Sequence, residues 1–232
     1  MDDEPPPRNY GVPTRVYYLR ISGHAPTYVL PDLSDLPTDN APLFVRHHVV
    51  GGSARAMFHS APDPIPGPQA GPNLPPFQNL LRLSDKAVRE YESARVALAA
   101  TVGLSAIEAA EHQLQAAEHF ESSVEALHRA FGWLRRLDGG PRWGLAPGGP
   151  QAIDDLRLLR NATAHQHENT PEIGEWTALV PRGDRIEIHR TRPTGISTLL
   201  AMTYEQLASM IRYIADVATR LRCSPEDVLT FA

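Results

Sequence analysis

The sequence predicts a mainly α fold: an antiparallel helical bundle with an inserted β-hairpin and a short β-rich N-terminal region, α+β overall. Three observations predict it. Two long stretches on either side of Gly103 carry apolar residues at three- and four-residue spacing, the period of a helix face. Downstream, "EWTALV" and "RIEIHR" flank "PRGD", two β-prone runs around turn residues. Upstream, short runs rich in β-branched and aromatic residues are cut by Pro and Gly.

Taken in order, residues 1–60 form the β-rich region. Its expected strands are Thr14–Ser22, Thr27–Leu30, Leu43–Val50 and Ala54–Ser60. Residues 61–76, "APDPIPGPQAGPNLPP", hold too much proline for helix or strand and read as a linker or an extended arm. The helical domain is expected over 77–232. Leu80, Leu81, Val88, Tyr91, Ala94, Leu98 and Val102 mark one face of its first helix, ending near Gly103. Ser105 and Glu108 in "SAIE" then make a capping box. Behind it, Ile107, Leu114, Ala117, Phe120, Val124, Leu127, Phe131 and Leu134 form a stripe running to about Leu137. Two such helices, joined by two or three residues, make an antiparallel hairpin. "DGGPRWGLAPGGP" breaks the pattern before a shorter helix at about Gln151–Ala164. The β-hairpin is expected at about 176–190, with "ISTLLAM" as a third strand. A second capping box, Thr203 with Gln206, opens a last helix whose apolar face is Leu207, Met210, Ile211, Ile214, Val217 and Leu221. "SPED" at Ser224 opens one more short turn.

Composition narrows the function. The chain has 232 residues, enough to bury a core without covalent staples. Its net charge of −5 gives no global basic footprint, so any nucleic-acid contact has to be local. Cys223 is the only cysteine, which leaves no disulfide framework and no thiolate metal site. The acidic, proline-rich opening "MDDEPPPRNYG" is unlike a secretory or transit signal, and no apolar run reaches a membrane-spanning length. A cytoplasmic location is the expectation.

The stretch that carries chemistry is "RNATAHQHEN", Arg160–Asn169, directly after the leucine-rich "IDDLRLLR". Asp154, Leu158, Asn161 and His165 fall on one helix face, which puts Asn161 one turn before His165, close enough to orient its imidazole. Arginine and histidine suit phosphodiester cleavage. A guanidinium stabilises charge developing on a phosphate. An imidazole titrates near neutrality and moves a proton. RNA already carries its nucleophile, the 2′-hydroxyl, so no metal is required and the product is a 2′,3′-cyclic phosphate.

"RNATAH" resembles the arginine-asparagine, three residues, histidine signature of the HEPN superfamily of helical domains. The setting is similar too, with two long antiparallel helices before the motif and one helix after it. The resemblance spans about Phe77 to Leu221 and implies a bundle of HEPN type. It further implies a metal-independent endoribonuclease that acts as a homodimer with two motifs facing one cleft, in a toxin or phage-defence (antiviral) setting. Carried over by position, Arg160 binds the phosphate, Asn161 orients and His165 is the catalytic histidine. Asp155 stands in loosely for an acidic residue that the family often has before the arginine. His167 occupies the place of a tyrosine that one toxin branch uses for regulation by its antitoxin. RNA is the implied partner, with an antitoxin or other protein partner alongside; no cofactor, DNA or membrane is expected.

Other readings stay open at this stage. Arg160 paired with Asp154 or Asp155, with Asn161 and His165 capping a helix end, makes the bundle a non-catalytic dimerisation or partner- or nucleotide-binding module. His165, His167 and Glu168, completed by His112 or His119, form a poor metal template. His47 and His48 point to opposite faces of an expected strand, so they share no site. No Walker-type glycine loop occurs, and "GISTL" lacks the second glycine of a nucleophile elbow. Trp133, Trp143 and Trp176 suit base stacking or, more simply, packing. Arg182 and His189 satisfy a looser arginine-to-histidine spacing inside an expected strand.

Overall fold

The computed structural model describes residues 26–38, 74–136, 146–164, 176–192 and 195–223. They form helices α1 (Leu74–Ala99), α2 (Ala106–Leu134), α3 (Gly149–Ala164) and α4 (Tyr204–Cys223). Between α3 and α4 lie strands β1 (Trp176–Pro181), β2 (Arg185–Arg192) and β3 (Gly195–Thr203). The protein is thus mainly helical with a small antiparallel sheet in the order β1-β2-β3. No described helix is long and apolar enough to cross a membrane.

Helix α1 begins inside the proline block rather than after it. Pro75 and Pro76 occupy its first turn, where the missing N–H groups have no helical acceptor anyway. It also stops sooner than expected, at Ala99. The Thr101 hydroxyl donates to the Leu98 carbonyl at 2.6 Å, and a run of tight turns follows through Gly103, whose φ of +80° suits glycine. The connection is therefore residues 100–105, and the flanking apolar positions Val102 (78% exposed) and Ile107 (74%) lie outside the core. The α2 capping box forms as expected. Glu108 N–H donates to Ser105 Oγ, and Ser105 N–H donates to Glu108 Oε2 at 2.9 Å. The α4 box forms in the same way, with Thr203 N–H to Gln206 Oε1 at 3.0 Å and Gln206 N–H to Thr203 Oγ1 at 3.1 Å.

The core runs through α1, α2 and α4. Tyr91, Phe120 and Tyr204 contribute one aromatic each, with Tyr91 edge-on to Phe120 at 6.0 Å and Phe120 stacked on Tyr204 at 5.4 Å. Tyr204 Oη donates to the Arg182 carbonyl at 2.8 Å, tying α4 to the hairpin turn. Leu179, Ile186, Ile188 and Met202 place one face of the sheet on the same core.

Residues 27–30, expected as a strand, are not one. Pro26 and Pro31 bracket them, and Val29 N–H donates to Gly183 O, in the β1–β2 turn, at 2.8 Å instead of joining a ladder. This segment is a strap. Leu33 is fully buried, its N–H donates to Glu92 Oε1 at 2.7 Å, Gln113 donates to Tyr28 Oη at 2.9 Å, and Arg212 of α4 reaches the Asp32 carbonyl. The other expected N-terminal strands and the "SPED" turn lie outside the described residues.

Candidate functional site

Helix α3 presents its motif against α2. The apolar side, Leu156 and Leu159, is fully buried, which turns Arg160 and Asn161 toward the seam between the two helices. Arg160 Nε donates to Glu125 Oε2 at 2.8 Å, and its Nη1 donates to Asn161 Oδ1 at 3.2 Å. The guanidinium is therefore oriented from two sides while its side chain remains 31% exposed. Its ion pair goes across to α2. On α3 itself, Asp154 pairs with Arg157 at 3.2 Å and Asp155 accepts from Gln151 Nε2 at 2.8 Å on the exposed flank. His165 and His167 lie outside the described residues, as does Glu168.

Two groups that the motif does not include, Glu125 and His128, belong to this seam. Glu125 holds Arg160 through Oε2 and reaches Arg129 Nη1 through Oε1 at 4.0 Å, so one carboxylate bridges two arginines. His128 lies one turn along α2 on the same side. Burial lowers its pKa, the positive charges of Arg160 and Arg157 lower it further, and Glu125 opposes them. Its Nδ1 is buried without a hydrogen-bond partner among the described residues. Glu121, one turn before Glu125, is pushed up to about 7 by burial, with the Glu118 charge adding. The sequence signal for these residues was the spacing of Glu118, Glu121, Glu125 and His128, which places them together on α2. Nothing local links them to Arg160.

The looser pair, Arg182 and His189, belongs to a different constellation. His189 Nε2 lies 2.7 Å from Glu187 Oε2, and Glu187 also accepts from Arg185 Nε at 2.8 Å and Arg182 Nε at 3.3 Å. Burial alone would raise the Glu187 pKa. The hydrogen bonds from His189, Arg185 and Arg182 outweigh it and hold the carboxyl at about 2. Of the histidines weighed as metal ligands, His119 Nδ1 is 2.8 Å from Glu90 Oε2, and His112 lines a shallow depression with it between α1 and α2. Among the described residues no three His, Cys, Asp or Glu side chains gather as a metal group. Trp133 is half-buried, with the Arg136 guanidinium 4.5 Å above its ring; Trp143 lies outside the described residues.

No family model matches the chain, and no curated protein or solved structure matches it.

Proposed function

We propose that this bundle is of HEPN type and acts as a metal-independent endoribonuclease at Arg160, Asn161 and His165. The observation that carries the reading is the Arg160 guanidinium, oriented by Glu125 and Asn161 and still partly exposed near the end of α3. A cation fixed in this way meets a phosphoryl oxygen with little reorganisation, which is how preorganised charge lowers a barrier. The 2′-hydroxyl attacks the adjacent phosphorus and the P–O5′ bond breaks. His165 moves the protons, and the products are a 2′,3′-cyclic phosphate and a 5′-hydroxyl. A homodimer joining two motifs in one cleft, a toxin or antiviral setting with a neutralising partner, and a cytoplasmic location belong to the same proposal.

The test is cleavage of a mixed, end-labelled RNA in EDTA by wild type, Arg160→Ala and His165→Ala. Cutting that leaves cyclic-phosphate ends and disappears in both variants is the expected result. No cutting, or cutting indifferent to both changes, overturns the reading. A second reading draws support from the Arg160–Glu125 ion pair itself: a pin between α2 and α3 in a non-catalytic dimerisation, partner-binding or nucleotide-binding module. Under it, Arg160→Ala and Glu125→Ala lower the melting temperature together and RNA is left intact.

A further inference from the structure

We propose that Arg129, exposed on α2, and Arg136, in the turn just past its end, bind the phosphates next to the one at Arg160, so that the site takes a single-stranded RNA of several nucleotides rather than a lone nucleotide. This rests on the RNA reading above.

The first support is the shared carboxylate. Glu125 contacts Arg160 through one oxygen and Arg129 through the other, which sets a second guanidinium beside the first. The Arg129 contact is at 4.0 Å and its side chain is 53% exposed, a weak surface pair that a phosphate can displace.

The second is the distribution of charge along the helix. All five glutamates of α2 (Glu108, Glu111, Glu118, Glu121, Glu125) precede His128, while Arg129, Arg135 and Arg136 follow it. The helix dipole favours Arg135 and Arg136 at the C-terminus, but Arg129 stands before the last turn. In a chain of net charge −5, this is a local basic stripe.

The third is shape. Glu125, Arg129 and Gly132 recur at i, i+4 and i+7, one face over about 10 Å of helix, and Arg136 follows in the turn that closes α2. A lone nucleotide does not reach along that whole stretch. Gly132 sits exposed in the middle, and a Cβ built there meets nothing within 4 Å, so internal packing does not require glycine. The gap lets a polynucleotide backbone lie close to the helix. At the far end Arg136 is already steadied by stacking on Trp133.

The experiment uses the full chain and a fluorescein-labelled 2′-O-methyl RNA about ten nucleotides long, within the usual range of single-strand sites. Lacking the 2′-hydroxyl, the probe binds without being cut. Fluorescence anisotropy is followed against salt for wild type, Arg129→Gln, Arg136→Gln and the double variant, with Arg129→Lys and Arg136→Lys as rescues. Each glutamine substitution is expected to weaken binding about three- to fivefold at ~50 mM salt and to reduce the slope of log K against log salt by about 0.7. Lysine is expected to restore most of the slope. The inference is overturned if wild type does not bind the probe, if glutamine leaves affinity and slope unchanged, or if a nucleoside monophosphate binds as tightly as the oligonucleotide. Its fate is separable from that of the nuclease reading. Probe binding with the expected slopes, without cleavage of ordinary RNA, keeps the stripe and removes the nuclease. Cleavage that needs Arg160 and His165, with binding indifferent to Arg129 and Arg136, does the reverse.

Discussion

Two arginine–glutamate–histidine constellations stand out among the described residues, and their chemistry differs less than their surroundings. In the sheet, Glu187 accepts from Arg182 and Arg185 and pairs with His189, with Glu187 and His189 only 11% and 6% exposed. At the α2–α3 seam, Arg160 donates to Glu125 beside His128, with Arg160 and Glu125 31% and 34% exposed. Arginine-to-histidine spacing is satisfied in both, by Arg182 with His189 and by Arg160 with His165. Spacing therefore does not separate a structural network from a candidate reactive one. A sealed and saturated carboxylate can only hold the fold together, whereas a half-open one leaves its cation able to meet a ligand.

The largest expected effect lies at the open constellation. On the proposed nuclease reading, Arg160→Ala and His165→Ala should each lower RNA cleavage by about 10²–10⁴-fold. Because the Arg160–Glu125 pair is partly solvated, Arg160→Ala should change unfolding free energy by under about 1 kcal/mol. A melting curve that collapses for Arg160→Ala would erase the contrast between the two regions.

The sealed constellation should behave in the opposite way. Glu187→Ala leaves the buried His189 ring without its carboxylate partner and should cost about 1–3 kcal/mol in denaturant unfolding, with the site at Arg160 unchanged in the folded fraction. Its pH dependence follows from the sign of the shift. The folded carboxyl sits at about 2 against 4.5 for the ordinary group, so the folded state binds fewer protons there. Its stabilisation is complete above about pH 4.5 and is lost as pH falls toward 2. The variant should therefore show a shallower acid limb in unfolding free energy against pH.

Two smaller effects concern α2, the helix that carries Glu125. Ser105→Ala removes the capping box and should cost about 1 kcal/mol by thermal unfolding, with cleavage unchanged if the seam is insulated from the helix start. Gly132→Ala should stabilise by about 0.5–1 kcal/mol, because the site is helical and has open space above it.

Local rules made much of the bundle legible in the sequence. The α2 start was readable because a capping box is written within four residues. The buried faces of α1, α2 and α4 followed from helical period, as did the sheet from the runs around "PRGD" and "ISTLLAM". The errors came where a side chain answers to something distant. Val102 and Ile107 continue the apolar rhythm but fall beyond the end of α1 and on the outside of α2. Thr27–Leu30 has strand-like residues, yet its one ladder-like bond goes to the hairpin turn. At the site, Arg160 and Asn161 were legible from the motif. Glu125 was not, since it lies 35 residues from Arg160 and only the packing of α2 on α3 brings it there. Asp155, nearer in sequence, turns to Gln151 instead.

The strap has a consequence for how the chain matures. Leu33 seats itself by bonding to Glu92, 59 residues on, and the Asp32 carbonyl waits for Arg212, 180 residues on. On the ribosome these early residues emerge long before their last partner exists. The α1–α2 hairpin can pair as soon as it is made and offers the strap Glu92 and Gln113, but the strap's bonds to Gly183 and Arg212 form only after the sheet and α4 have been released. Completion of the core is therefore a late event with high contact order. Until then the strap is held by only part of its bonds, and a nascent chain arrested before residue 212 lacks the α4 anchor of this segment.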